Sequence, residues 1–154
     1  MSTEKWVAGA TAGWVNAYTA ASTFDSIVSG NAILSDLAIT NSALDEFADF
    51  YISLGSAAFV APNFVGVYIY PLDADASTYG DGRFGSSAAG PPASDYFAGK
   101  ITLVAATQAQ KGVCRGILLP PGQFKFCLWN QGGVTLAGSG GNTIQYRTYN
   151  RAIV

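Results

Sequence analysis

The feature that most constrains this chain is a two-residue alternation of side-chain character, repeated in segment after segment and broken each time by Gly, Pro, Asn or Asp. From Phe47 to Leu54, Ala48, Phe50, Ile52 and Leu54 share one face while Asp49, Tyr51 and Ser53 share the other. From Phe64 to Tyr70, Val65, Val67 and Ile69 oppose Phe64, Tyr68 and Tyr70. Phe124, Phe126 and Leu128 fall on one side of a run ending at Trp129. Near the C-terminus Ile144, Tyr146 and Thr148 alternate with Thr143, Gln145, Arg147 and Tyr149. Successive side chains on a strand point to opposite faces, so this period means strands buried on one side. β-Branched and aromatic residues, which suit a pleated surface, dominate these runs.

Two shorter runs, Ile101–Val104 and Val113–Leu118, read as strands, and weaker ones fall at Trp14–Tyr18, Ala32–Ser35 and Val134–Ala137. Ser42–Ala48 is the only helix-like stretch, and it is too short to outweigh strand pairing at its end. The expected fold is therefore all-β: one antiparallel β-sandwich of jelly-roll type with about eight strands. Residues 1–23 read as an N-terminal lead-in or arm, and residues 24–154 as the sandwich domain with a long loop over 73–97. That polar, Gly/Ser/Pro-rich stretch exceeds the length at which loops are usually incidental, and in a symmetric assembly it would suit an arm laid across a neighbour.

At 154 residues the chain can hold a core without staples. Only 12 % of its residues are charged, against 49 % hydrophobic. That is about half the charge of an ordinary soluble domain, which suits a protein that offers much of its surface to partners. Its net charge is −2 and its eight basic residues are scattered along the sequence, which argues against nucleic-acid binding. No apolar run approaches a bilayer span. The N-terminus lacks the charged head and apolar stretch of a secretory signal, so the expectation is a mature cytosolic product.

The chain has no histidine, which removes Ser-His-Asp and Cys-His machinery and most catalytic zinc sites. Asp49 with Asp45 or Glu46 is the only crowded carboxylate pairing on a strand, and a glycosidase would need two carboxylates facing each other across a cleft. Asp73, Asp75 and Ser77 alternate as the first ligands of an EF-hand would, but the sixth and twelfth positions are Thr78 and Phe84 rather than Gly and Glu. A looser Ca²⁺ site from Asp73, Asp75 and Asp81 competes with ordinary turn chemistry. Gly138–Asn142 sits between strands and reads as a turn, not a phosphate cradle. The expectation is a protein that is not an enzyme and has no cofactor or metal.

Two cysteines, Cys114 and Cys127, fall in strands. A four-residue hairpin loop at 119–122 would set them opposite one another, within reach of a disulfide. Two buried thiols packing as small hydrophobes is the preferred reading. Trp6, Trp14 and Tyr18 lie in a Gly/Ala-rich lead-in without core periodicity. They either cover an open sheet edge or anchor a neighbouring subunit. Together with Asp73, Asp75, Tyr79, Arg83 and Phe84 of the long loop, they are the candidate interface residues.

The C-terminal stretch GILLPPGQFKFCLWNQGGVTLAGSGGNTIQYRTYN, residues 116–150, resembles the ending of capsid cement or decoration proteins of tailed bacteriophages. It has their Leu-Pro-Pro-Gly strand, Phe-Lys-Phe strand, Asn-x-Gly turn and closing Tyr-Arg-Thr-Tyr strand. FADFYISLGS (47–56) and FVGVYIYPLDADASTYGDG (64–82) are similar to that family's middle strands, and the likeness covers roughly residues 24–151. The resemblance implies a jelly-roll virion protein, assembled in the host cytoplasm and seated on the capsid exterior. It would bind the major capsid protein and itself, as a homodimer or homotrimer, and stabilise the shell by bridging capsid subunits. No catalytic residues are carried over. The alternatives are another virion component, such as a tail, collar or fibre module, and a carbohydrate-binding jelly roll using Trp129 and Tyr68.

Overall fold

In the computed structural model, which describes residues 4–74, 76, 78–79, 88–90, 92, 94–139 and 141–153, two antiparallel sheets pack face to face as a β-sandwich. Eleven strands are present among the described residues: β1 (Glu4–Ala8), β2 (Val15–Asn16), β3 (Asn31–Leu34), β4 (Ile39–Asn41), β5 (Phe47–Leu54), β6 (Phe64–Pro71), β7 (Ala88–Ala89), β8 (Phe97–Thr102), β9 (Gln110–Leu118), β10 (Gly122–Gln131) and β11 (Thr143–Ile153). Sheet A runs β1-β11-β5-β9, with β2 also on β11. Sheet B runs β7-β3-β10-β6-β8, with β4 also on β10.

The short strands have a simple logic. β1 and β2 lie in turn along β11, and β3 and β4 lie in turn along β10, so each pair is one interrupted strand. Merging each pair and setting the two-residue β7 aside leaves eight strand positions. They pair in a nested way, first with last, second with seventh, third with sixth and fourth with fifth. The N-terminal residues therefore supply the edge of sheet A.

The alternation in the sequence becomes the two faces of each sheet. Ala48, Phe50, Ile52 and Leu54 are fully buried between the sheets with Val65, Val67, Phe124, Phe126 and Ile144. Phe50 of sheet A meets Phe126 of sheet B edge to face at 4.7 Å. A fully buried side chain of this size contributes about 1.5–3 kcal/mol, so these rings set the spacing of the layers. Polar residues inside the sandwich are tied to backbone. Asn130 donates to the carbonyls of Ile27 (2.8 Å) and Val134 (2.7 Å) and accepts from the Gly132 amide. Asn142 donates to the Ala137 carbonyl and accepts from the Gly55 amide.

Two expectations are corrected. Val134–Ala137 is not a strand. Leu136 and Ala137 exchange backbone hydrogen bonds with Ile27 and Ser26, but Asn130 occupies the Val134 carbonyl and glycines flank the segment. No hairpin joins β9 to β10 either. The chain crosses from sheet A to sheet B at Leu119–Pro121, β9 pairs with β5, and β10 pairs with β3, β4 and β6. Cys114 therefore faces the core between the sheets and Cys127 the outer cluster of sheet B, both as free thiols. As the short length of Ser42–Ala48 leads one to expect, Ser42 and Ala43 form a turn and Phe47 and Ala48 begin β5.

Candidate functional site

The outward positions of sheet A gather chemistry that is spread over the whole chain. Alternation along β11 puts Arg147, Tyr149 and Arg151 on the outside. Register then sets Trp6 of β1 beside Arg151, Phe47 of β5 beside Tyr149, and Asp49 beside Arg147. Trp6 stands edge-on to Tyr149 (5.2 Å) and Phe47 (5.7 Å), and Phe47 stacks on Tyr149. The Arg151 guanidinium lies 5.4 Å from the Phe47 ring centre and that of Arg147 lies 4.9 Å from Trp14, which also meets Tyr51. Trp6 remains 62 % exposed and Trp14 39 %.

Asp49 organises this face. It is 4 % exposed, and its Oδ2 accepts from Arg147 Nη2 (2.8 Å) and Nε (3.2 Å). Its Oδ1 accepts from the Gly116 amide and the Tyr149 hydroxyl, each at 3.2 Å. Burial alone would raise its pKa. The hydrogen bonds from Arg147, Gly116 and Tyr149, with the Arg147 charge, outweigh that and hold it below the ordinary carboxylate value. Asp45 is bound to Thr148, Asn150 and the Ala10 amide. Residues 148 and 150 leave β11 on the opposite side from 147 and 149. The two carboxylates are thus satisfied on opposite faces and do not flank a shared cleft.

Beside Asp49, sheet A is hollowed into an open cleft of about 390 Å³ lined by Trp6, Val7, Ala8, Ala12, Arg115, Arg147 and Tyr149 among others. Arg115 is exposed and makes no hydrogen bond or ion pair among the described residues. An unpaired guanidinium, a half-used one and an exposed indole around one hollow form a surface of the residue types that dominate binding energy at interfaces.

The candidate residues from the sequence divide between places. Trp6 and Trp14 lie on this face. Tyr18 packs edge-on against Phe24 at the rim of the core, where burial, and then Asp25, raise its pKa. Asp73 closes a turn through Thr78, and Tyr79 lies over sheet B, where it bonds Gln123 and receives Lys125 against its ring. Asp75, Arg83 and Phe84 lie outside the described residues, as does Asp81 of the looser calcium reading. Among the described residues no group of three or more His, Cys, Asp or Glu is placed to hold a metal, and no helix is long and apolar enough to cross a membrane.

Phe47, Asp49, Arg115, Tyr149 and Arg151 join this face without a local sequence mark of an interface. Their one signal was the run Arg147, Tyr149, Arg151 at alternate positions, since scattered arginines meet only when distant strands pair. The aromatics of sheet B do not form a flat platform: Tyr68 is 5 % exposed and lies 70° from the plane of Trp129. Compared with known proteins, the chain matches no protein-family model and no curated protein sequence.

Proposed function

We propose that this chain is a non-enzymatic virion structural protein of jelly-roll type that binds the outside of an assembled capsid and stabilises it by bridging major capsid protein subunits. The observation that carries the reading is the outer face of sheet A. There Trp6, Tyr149, Arg115, Arg147 and Arg151 stand exposed or half-exposed on strands, and Trp14, just before β2, is held against the same face by the Arg147 guanidinium. Large contiguous faces of this composition mark protein partners. The nested pairing of eight strand positions supports the jelly-roll assignment, a winding shared by many capsid proteins. The low charge content supports a protein whose surface is covered in use, and repeated copies on a shell turn modest contacts into firm attachment.

The test is co-sedimentation of the purified chain with capsids assembled from the cognate major capsid protein. Saturable binding at a fixed ratio to capsid subunits, with a higher dissociation temperature of the shell, is expected. Failure to sediment with intact shells at micromolar concentration would refute the reading.

A further inference from the structure

The cleft on sheet A has a chemistry that identifies what fills it. Val7, Ala8 and Ala12 give its lining small apolar surface, and the exposed Trp6 lines it as well. Two arginines, Arg115 and Arg147, line it. Asp49, the one carboxylate among the described lining residues, is already engaged by Arg147, Gly116 and Tyr149. Among the described residues, positive charge without a counter-charge therefore remains at Arg115, next to an apolar surface.

We propose that this cleft binds an acidic segment of the partner protein, a carboxylate meeting Arg115 while an adjacent apolar or aromatic side chain lies against Trp6. The proposal rests on the capsid-binding reading and gives the partner its chemistry. Charge complementarity selects this occupant over a second copy docked through the same face. A two-fold contact there would bring Arg115, Arg147 and Arg151 of both copies together, while Asp49 and Glu46 are committed within their own chain. Arginine and carboxylate form paired, charge-assisted hydrogen bonds whose fork geometry a lysine does not reproduce.

The experiment is calorimetric titration of the full chain with acetylated, amidated tetrapeptides in which two Glu flank a Leu or Phe. The same peptides with Gln for Glu, and inorganic phosphate, complete the set. Saturable binding of an acidic peptide is expected, with the Gln counterpart about tenfold weaker or more. Arg115→Ala should remove that difference and Arg115→Lys restore part of it. Trp6→Ala should weaken binding, and Lys125→Ala on the opposite sheet should leave it unchanged. The Arg115 side chain has no partner among the described residues, so its variants should melt like the parent.

The proposal is overturned if no acidic peptide binds, if Gln peptides or phosphate alone bind as well, or if Arg115→Ala has no effect. Concentration-dependent self-association that Arg115→Ala abolishes would overturn it in favour of a second copy. If Arg115→Ala sediments with capsids as the parent does, the capsid reading stands and the cleft assignment falls. If acidic peptides bind but shells do not, the cleft chemistry stands and the capsid reading falls.

Discussion

Asp49 shows how one side chain ties stability to pH. Its folded-state pKa lies below the ordinary carboxylate value, as do those of Asp36 and Asp45. In each, burial pushes upward and hydrogen bonds from backbone amides or side chains outweigh it. A depressed carboxylate contributes stability that is complete above its unfolded value, 3.8, and is lost as pH falls through the folded one. Melting temperature should therefore hold between pH 5 and 8, on the order of the range usual for such groups, and drop steeply below about pH 4. Asp49→Asn should remove its share of that acid sensitivity and cost about 2 kcal/mol at neutral pH. An unchanged acid profile in the variant would contradict this. The cysteines work in the other direction. Burial raises both thiols, Cys127 up to about 12, so their contribution is full below 9 and erodes as pH rises beyond it. A thiol reagent should label neither cysteine in the native protein and both after denaturation. Rapid labelling of the folded chain would show that the core opens there.

At the scale of elements, β8 of sheet B runs close beside β9 of sheet A. Two glycines make it possible. A Cβ at Gly99 would stand 2.8 Å from Cys114 Sγ, and one at Gly112 would strike Ile101. Gly99→Ala or Gly112→Ala should force the edge strands apart at a cost of about 1–3 kcal/mol. A denaturant melt of either variant that matches the parent would mean the seam is slack. The Phe50–Phe126 contact makes the complementary case. Phe50→Ala should cost about 3–5 kcal/mol, because the emptied space lies between two sheets that cannot collapse independently. Element identity was legible wherever alternation was long. The alternation over Phe47–Leu54 has the bounds of β5, and Ala48, Phe50, Ile52 and Leu54 form its inward face. Val134–Ala137 misled because β-branched content promises a strand only when a neighbour is free to pair, and there the Asn130 side chain takes the Val134 carbonyl. β1 went unread because its Trp6 faces out and its burial pattern carries no alternation.

For the whole molecule, the prediction concerns what the outer face of sheet A does in company. Trp6→Ala combined with Arg151→Ala should lower capsid co-sedimentation by about tenfold or more. It should cost about 1 kcal/mol of stability, since Trp6 is mostly exposed and its gain comes from two ring contacts. Equal loss of folding and binding would assign these residues to structure alone. A stable dimer or trimer in light scattering after size exclusion would support a bridging clasp. A clean monomer would leave a subunit that engages the shell one copy at a time.

Alternation, turn residues and the absence of histidine were enough, from the sequence alone, to establish a two-sheet β-sandwich and to remove histidine-based chemistry. Each depends on residues near one another in the chain or on composition, and side-chain direction in a strand follows directly from position. Which strands pair was decided only by the tertiary structure, and with it the placing of Cys114 and Cys127 in different sheets. The same holds for the gathering of Arg115, Arg147, Arg151, Trp6 and Asp49 on one face. Strand register is a long-range property: it brings together residues as far apart as Trp6 and Arg151, and no local pattern records that meeting.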